Sequence, residues 1–391
     1  MSQQLISRSP DLRRLRNDGY EIETKEGYLI VHHIPYINGS REIKFGKLIS
    51  SLTLNNDITI RPDSHVIGFM GEHPCNKDGS LLKAIQHSNP NQSLFDGIIM
   101  NYSFSNKPPG GYEDYYQKVK SYSEIITAQA KAIDPSVTER TFRVVIENVE
   151  ESVFNYMDTN SSRANINSIN TKFKGQRIGI IGLGGTGSYI LDLVAKTQVK
   201  EILLFDGDVF LQHNAFRSPG APSIECLNEQ FKKVDYFKSI YSKMHKGIRA
   251  HAEYISEENI ELLNGLSYVF ICIDNNQARG MIMSKLRQFG VTFIDVGFGV
   301  NIAEDNLVGS VRVTVGTLIK NDHIPKRIGT ADLGDNEYST NIQVADLNAL
   351  NALMAVLKWK KMSGFYQDQI EEHHSTYTIN TSQLLNDDCT A

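Results

Sequence analysis

An α/β fold with a wound, mainly parallel sheet, preceded by a smaller α+β domain, is predicted by three features of this 391-residue chain. The first is the stretch 177–208, which reads strand, glycine turn, helix and second strand. The second is a set of short apolar runs at 178–181, 202–205 and 268–273. Their lack of polar alternation marks strands covered on both faces, as helices cover a parallel sheet. The third is the contrast with residues 1–150, where short strand patterns follow one another between turn residues and helices stand only at the two ends.

Composition narrows the class. With 40% hydrophobic and 22% charged residues the chain reads as an ordinary globular protein of two domains. A formal net charge of −5 provides no basic field for nucleic acid or an anionic membrane, so neither is an expected partner. No apolar stretch is long enough to span a bilayer, and the first residues lack the apolar core of a signal peptide, which places the expected location in the cytoplasm. Cys75, Cys226, Cys272 and Cys389 form no C-x-x-C pair, which argues against a disulfide framework and a structural zinc ribbon.

Residues 1–150 form the first domain. A short charged helix is expected at 10–17, strands at 20–27, 28–36, 48–54 and 58–60, a further apolar run at 65–70, and a helix over 112–133 that stops before Pro135. His32 and His33 are neighbours on one strand and point to opposite faces, so they are not read as metal ligands. The turn that starts at Glu72 carries His73-Pro74, with Gly79 shortly behind. That order resembles the ubiquitin-conjugating, E2-like domains. In that family a catalytic cysteine follows the His-Pro turn and a glycine, whereas here Ser80, Leu81 and Leu82 follow Gly79 and Cys75 precedes it. The resemblance therefore implies an E2-like domain that is inactive or uses other chemistry. Read on their own, His73 is a satisfied turn histidine and Cys75 a small buried residue. A polar linker over 151–170 leads to the second domain, 171–391.

The glycine turn Gly182-Leu183-Gly184-Gly185-Thr186-Gly187 bends the chain into a helix expected to begin near Ser188. Glycines admit a phosphate close to the backbone, and the free N–H groups of the helix start face the anion. Asp206 ends the next strand, where a carboxylate can accept ribose hydroxyls. To this point NAD, FAD and ATP fit equally. Asp208, Asn214, Arg217 and Lys233 follow, and Asp274 ends the third strand with Arg279 five residues later. Fixed cations beside a phosphate turn with a carboxylate opposite suit a triphosphate with Mg²⁺ better than a hydride carrier.

Together these motifs resemble the E1-like adenylation family, which includes the sulfur-carrier activating enzymes of thiamin and molybdopterin synthesis and the ubiquitin-activating enzymes. The resemblance covers about residues 161–385. It implies a Rossmann-like adenylation domain that uses ATP and Mg²⁺ to adenylate the C-terminal glycine of a ubiquitin-like protein and releases pyrophosphate. Carried over, Gly184 and Gly185 line the nucleotide within the turn bounded by Gly182 and Gly187, Asp206 holds the ribose, and Asp274 assists the metal. Asn214, Arg217 and Lys233 face the phosphates. Asp208 either joins this set or caps the turn that follows it. Arg163 lies where relatives carry an arginine that reaches the partner's nucleotide in a homodimer, and a linker arginine without a role is the other reading.

The departures matter as well. No cysteine stands between Cys272 and Cys389, where thioester-forming relatives carry one, and the zinc-binding cysteine pairs are absent. The expected sequel is direct transfer of the adenylate to an E2-like partner or another acceptor. Resembling bacterial proteins lie beside ubiquitin-like, E2-like and peptidase genes, a setting associated with antiviral defence. Two readings of other classes remain: a nicotinamide or flavin oxidoreductase, and a non-catalytic scaffold that recruits a ubiquitin-like protein.

The rest of the chain is expected to complete the sheet with strands at 293–296 and 309–315 and a closing strand at 377–379. A helix over 341–359 is expected to turn Val344, Leu347, Leu350, Leu353, Met354 and Leu357 to the core. On that reading Asn348 and Asn351 are available to meet a partner.

Overall fold

In the computed structural model, which describes residues 2–95, 97–144, 152–164, 166–329 and 342–390, the chain divides into two compact units. Met1–Glu147 with Ser162–Ala164 form one, and Asn148–Ser161 with Asn165–Ala391 form the other. The expected boundary near residue 150 falls within 145–151, outside the described residues.

The first unit is an antiparallel sheet of six strands in the order Ile22–Lys25, Tyr28–Ile37, Ile43–Ser51, Val66–Met70, Tyr102–Ser105 and Gln86–Ser88. The helix Pro10–Asn17 stands where expected. The helix Tyr115–Lys131 begins three residues later than expected, because the Asp114 side chain accepts the Gln117 amide at 2.7 Å and so caps it there. Tyr115, Lys118 and Tyr122 recur on one face of this helix and carry polar tips through the core. Tyr115 donates to the Ser51 carbonyl at 2.9 Å, Tyr122 to that of His65 at 2.6 Å, and the Lys118 ammonium to Ser50 Oγ at 2.9 Å and the Ser64 carbonyl at 2.8 Å.

The expected strand at 48–54 is instead Ile43–Ser51, its outer half hidden from the apolar pattern by Lys44 and Lys47. The stretch 58–60 is half of a two-strand ladder, Leu54–Asn55 with Ile58–Thr59, outside the main sheet. His32 and His33 lie in a β-bulge between Val31 and Ile34. They pair with separate carboxylates, Glu23 at 3.2 Å and Glu21 at 2.8 Å.

The second unit is an eight-stranded sheet in the order Ile248–His251, Glu201–Phe205, Arg177–Ile181, Tyr268–Ile271, Thr292–Ala303, Asn306–Gly316, His374–Thr378 and Gln383–Asp387. The first five strands run parallel and the last three antiparallel. Alternation within each parallel strand divides the core into two layers. Ile178, Ile180, Leu204, Phe270 and Ile294 face one side with Trp359, whereas Ile181, Leu203, Phe205, Val269 and Ile271 face the other with Ile282 and Leu286.

The helix after the glycine turn is Gly185–Val194, three residues earlier than expected, with Gly184 at its cap. The strands expected at 293–296 and 309–315 are parts of a longer hairpin, Thr292–Ala303 with Asn306–Gly316. The sheet closes on Gln383–Asp387, not on residues 377–379. All five residues of that strand are exposed, and its two leucines, Leu384 and Leu385, are adjacent and so make no alternating pattern.

The helix Ala345–Met362 corrects a further expectation. Its proposed start at Asn341 lies outside the described residues. Leu347 is buried, but Leu353 and Leu357 are 45% and 47% exposed, while Asn348 and Asn351 are fully buried beside Ala352, Ala355 and Trp359. The helix therefore packs through its small and amide-bearing face, which allows it to lie close against Gly185–Val194. Among the described residues no helix is long and apolar enough to cross a membrane.

Candidate nucleotide-binding site

Parallel pairing brings the carboxyl ends of three strands side by side, and backbone bonds stitch the loops that leave them. Gly182 N–H donates to the Phe205 carbonyl and Cys272 N–H to that of Ile181, both at 2.8 Å. Loops 182–187, 206–208 and 272–275 thus share one rim, the usual ligand edge of a wound sheet.

The four glycines of the turn do different things. Gly182 has φ +88°, and a Cβ there would lie 2.6 Å from the Cys272 carbonyl oxygen. At Gly187 a Cβ would lie 1.9 Å from the Gly182 carbonyl oxygen, so this glycine lets the helix close on the strand. At Gly185 it would strike the Asn348 side chain at 2.0 Å, so Gly185 faces the interior instead of lining open space. Only Gly184 has nothing within 4 Å, which leaves it the glycine of this turn that a phosphate can approach.

The two aspartates also separate. Asp206 is 5% exposed and accepts the Leu183 amide at 2.7 Å and the Asp208 amide at 2.8 Å, so it ties the second strand to the glycine turn. Asp208 is half exposed. It accepts from Lys233 Nζ at 2.6 Å and from the Tyr254 hydroxyl. Burial opposes the charge of Asp208, but these two bonds outweigh it and hold the carboxyl below its usual range. Lys233 is buried at the start of the helix Lys233–Tyr241, with Asp206 3.6 Å from its ammonium. The Tyr254 phenol is pushed up to about 12 by its bond to Asp208, by burial and by the charges of Asp208, Asp206 and Asp274. Asp274, exposed beyond the third strand, is near enough to act on Tyr254 through its charge.

Arg279 turns away from the rim. It contacts Asn276 and the Ile273 carbonyl and pairs with buried Asp295 at 3.0 Å, and Arg312 holds the second Asp295 oxygen at 2.7 Å. Arg163 is exposed at the end of the short helix Thr159–Arg163 and belongs to the first unit.

Asn214 and Arg217 sit on one tight turn. Asn214 Oδ1 accepts the Leu211 amide at 2.8 Å, and the Asn214 carbonyl accepts the Arg217 amide at 3.1 Å. Asn214 Nδ2 and Arg217 Nε are both buried and have no partner among the described residues. Native structures seldom leave buried donors unmet, so two on one turn point to a missing acceptor. A cleft of about 650 Å³ opens beside this turn between Leu211, His213, Phe216 and Leu227.

Cys75 packs in the first unit, and Cys272, although it begins a rim loop, packs against the core of the second. The Cys75 thiol is buried and donates to the His73 carbonyl at 3.3 Å, with burial and the nearby Glu72 and Asp78 pushing it up. Burial likewise pushes the Cys272 thiol well above its ordinary range, with Asp295 adding to the effect. Leu82, three residues beyond Gly79, is buried in the core of the first unit.

Sequence reasoning missed Tyr254 and the role of Asn348. Tyr254 follows the edge strand Ile248–His251 at the carboxyl end of the sheet, and that position was its only signal. Asn348 had none, because its partner Thr186 is 162 residues away. Among the described residues no group of three or more His, Cys, Asp or Glu side chains is spaced to hold a metal.

A glycine cradle on the rim of a wound sheet, flanked by unspent donors, defines a nucleotide-binding α/β domain. The model of the ThiF family matches residues 159–302. Residues 10–159 match a family described as a domain of unknown function, DUF6791. No curated protein matches the chain. Among solved structures it is similar to E. coli MccB with succinimide, at 13% identity over 56% of this chain and 66% of that one, with a TM-score of 0.45. The match to E. coli MccB with ATP has 13% identity over 56% and 65%, TM-score 0.45, and that to PaaA 15% over 59% and 80%, TM-score 0.45. The chain thus spans just under two thirds of these MccB chains.

Proposed function

We propose that the second unit is an ATP-dependent adenylyltransferase that activates the C-terminal glycine carboxylate of a ubiquitin-like protein and releases pyrophosphate. The ThiF-family match supports the class of reaction. The observation that carries the reading is the pair of buried, unpartnered donors Asn214 Nδ2 and Arg217 Nε beside a glycine turn with one open glycine.

The roles follow from charge. A carboxylate must attack an anionic triphosphate, so both anions need fixed positive partners. Arg217 and Asn214 supply donors already ordered for phosphate oxygens. Lys233 shifts its charge from Asp208 to the phosphates, and Asp208, freed from it, meets the ribose in place of buried Asp206. Asp274 has no competing side-chain bond among the described residues, which suits a carboxylate holding Mg²⁺, the ion that would neutralise phosphate charge. The cleft beside Phe216 would admit the carrier's extended tail. The acceptor is then an E2-like protein recruited with help from the first unit, and a homodimer would pair through the second. Arg163 is reserved for the partner subunit's nucleotide.

The test is ATP–pyrophosphate exchange across a panel of ubiquitin-like proteins ending in glycine, each offered with a free and an amidated C-terminus. Exchange with the free carboxylate alone is the expected result. No exchange with any carrier, together with thermal stabilisation by NAD and not by ATP, would move the site to dinucleotide chemistry.

A further inference from the structure

Asn348 is fully buried on the helix Ala345–Met362, and its amide spans two parts of the rim. Its Oδ1 accepts from Thr186 Oγ at 2.9 Å, on the first turn of the helix that starts the cradle, and its Nδ2 donates to the Arg217 carbonyl at 3.3 Å. The reverse orientation of the amide would set oxygen against the Arg217 oxygen, so the pairing fixes which way it points. Gly185 is glycine here to admit this side chain, since a Cβ would meet all three amide heavy atoms within 2.6 Å. Arg217 is thereby held at its amide by Asn214 and at its carbonyl by Asn348, while its Nε stays unspent.

We propose that Asn348 is a positioning residue that sets the distance between the Arg217 guanidinium and the helix N-terminus at Gly184, so that both meet the same phosphate chain. This rests on the nucleotide reading of the site. Asn348 itself touches no phosphate. It acts through Arg217, and its loss should therefore be invisible once Arg217 is gone.

That dependence is the test. MgATP binding is measured by calorimetry for the wild type, Arg217→Ala, Asn348→Asp and the double variant, with folding checked by denaturation. Asn348→Asp keeps the acceptor for Thr186 and removes the donor to Arg217. It should weaken MgATP about tenfold, the scale of one hydrogen bond to a charged group, and the double variant should bind no worse than Arg217→Ala alone. Wild-type affinity in Asn348→Asp, or independent losses in the double variant, would overturn the positioning role. Absence of MgATP binding by the wild-type chain would remove the nucleotide reading instead. A second cycle needs no nucleotide: Gly185→Ala should lower stability in the wild type and much less in Asn348→Ala, whose side chain no longer fills that space. Equal losses in both backgrounds would sink the proposed packing.

Discussion

The Asp206 carboxylate accepts the Leu183 amide at 2.7 Å, so the aspartate at the end of the second strand belongs to the glycine turn and not to open solvent. Asp206→Asn offers one oxygen where two amides need acceptors. It should cost about 1–3 kcal/mol of stability, read by chemical denaturation. Asp208→Asn, at a half-exposed position, should change stability by less than about 1 kcal/mol and weaken MgATP binding. The reverse ranking would return the ribose to Asp206.

Asp274 is exposed and has no hydrogen bond to lose among the described residues. Asp274→Ala should therefore unfold with the wild type, within about 0.5 kcal/mol, while pyrophosphate exchange falls by about a hundredfold or more. Full exchange activity in this variant would remove Asp274 from the metal site.

Lys118 in the first unit gives a pH signature. Burial pushes its ammonium down to about 8 from an ordinary value of 10.5. Between those two values the unfolded chain binds the proton and the folded one does not, so the lysine's contribution to stability rises with pH through that window and is flat below it. The difference between wild type and Lys118→Met should therefore shift by about 2 kcal/mol in favour of the wild type from pH 7.5 to 9.5. A flat difference would mean that the ammonium stays charged in the core.

No thioester should form between this chain and its carrier. Cys75 and Cys272 are held protonated by burial, and neither is free to attack an activated carbonyl. Gel analysis of a reaction with ATP and the carrier, with and without reductant, should show no reductant-sensitive adduct. An adduct lost on Cys226→Ala or Cys389→Ala would reverse this.

The parallel strands were legible because strands buried on both faces leave unbroken apolar runs such as Ile202–Phe205. The glycine turn was legible as a turn, yet the separate duties of Gly184 and Gly185 were not, because the atom that Gly185 accommodates arrives from residue 348. The last helix was misread for a related reason. Periodicity assigns leucines to the core, but a close helix contact selects small and hydrogen-bonding residues, leaving Leu353 and Leu357 outside and Asn348 and Asn351 within. The strand Gln383–Asp387 escaped notice because its adjacent leucines show no alternation, and backbone pairing, a Ser375–Asn386 hydrogen bond and an Arg327–Asp387 ion pair hold it in place. In the first unit, Lys44 and Lys47 masked half a strand that solvent-facing lysines do not disrupt.

Trp359 is the only tryptophan of the chain. It is fully buried, bonded through its indole N–H to Gln176 at 3.0 Å and packed on Phe173. It also lies about three turns from Asn348 on the same helix. Tryptophan emission therefore reports the second unit alone, and the first unit can be followed only through its tyrosines. Excitation at the long-wavelength edge, where only tryptophan absorbs, gives a melting curve for the second unit without a label, whereas tyrosine emission mixes both units because Tyr236, Tyr241 and Tyr268 belong to the second.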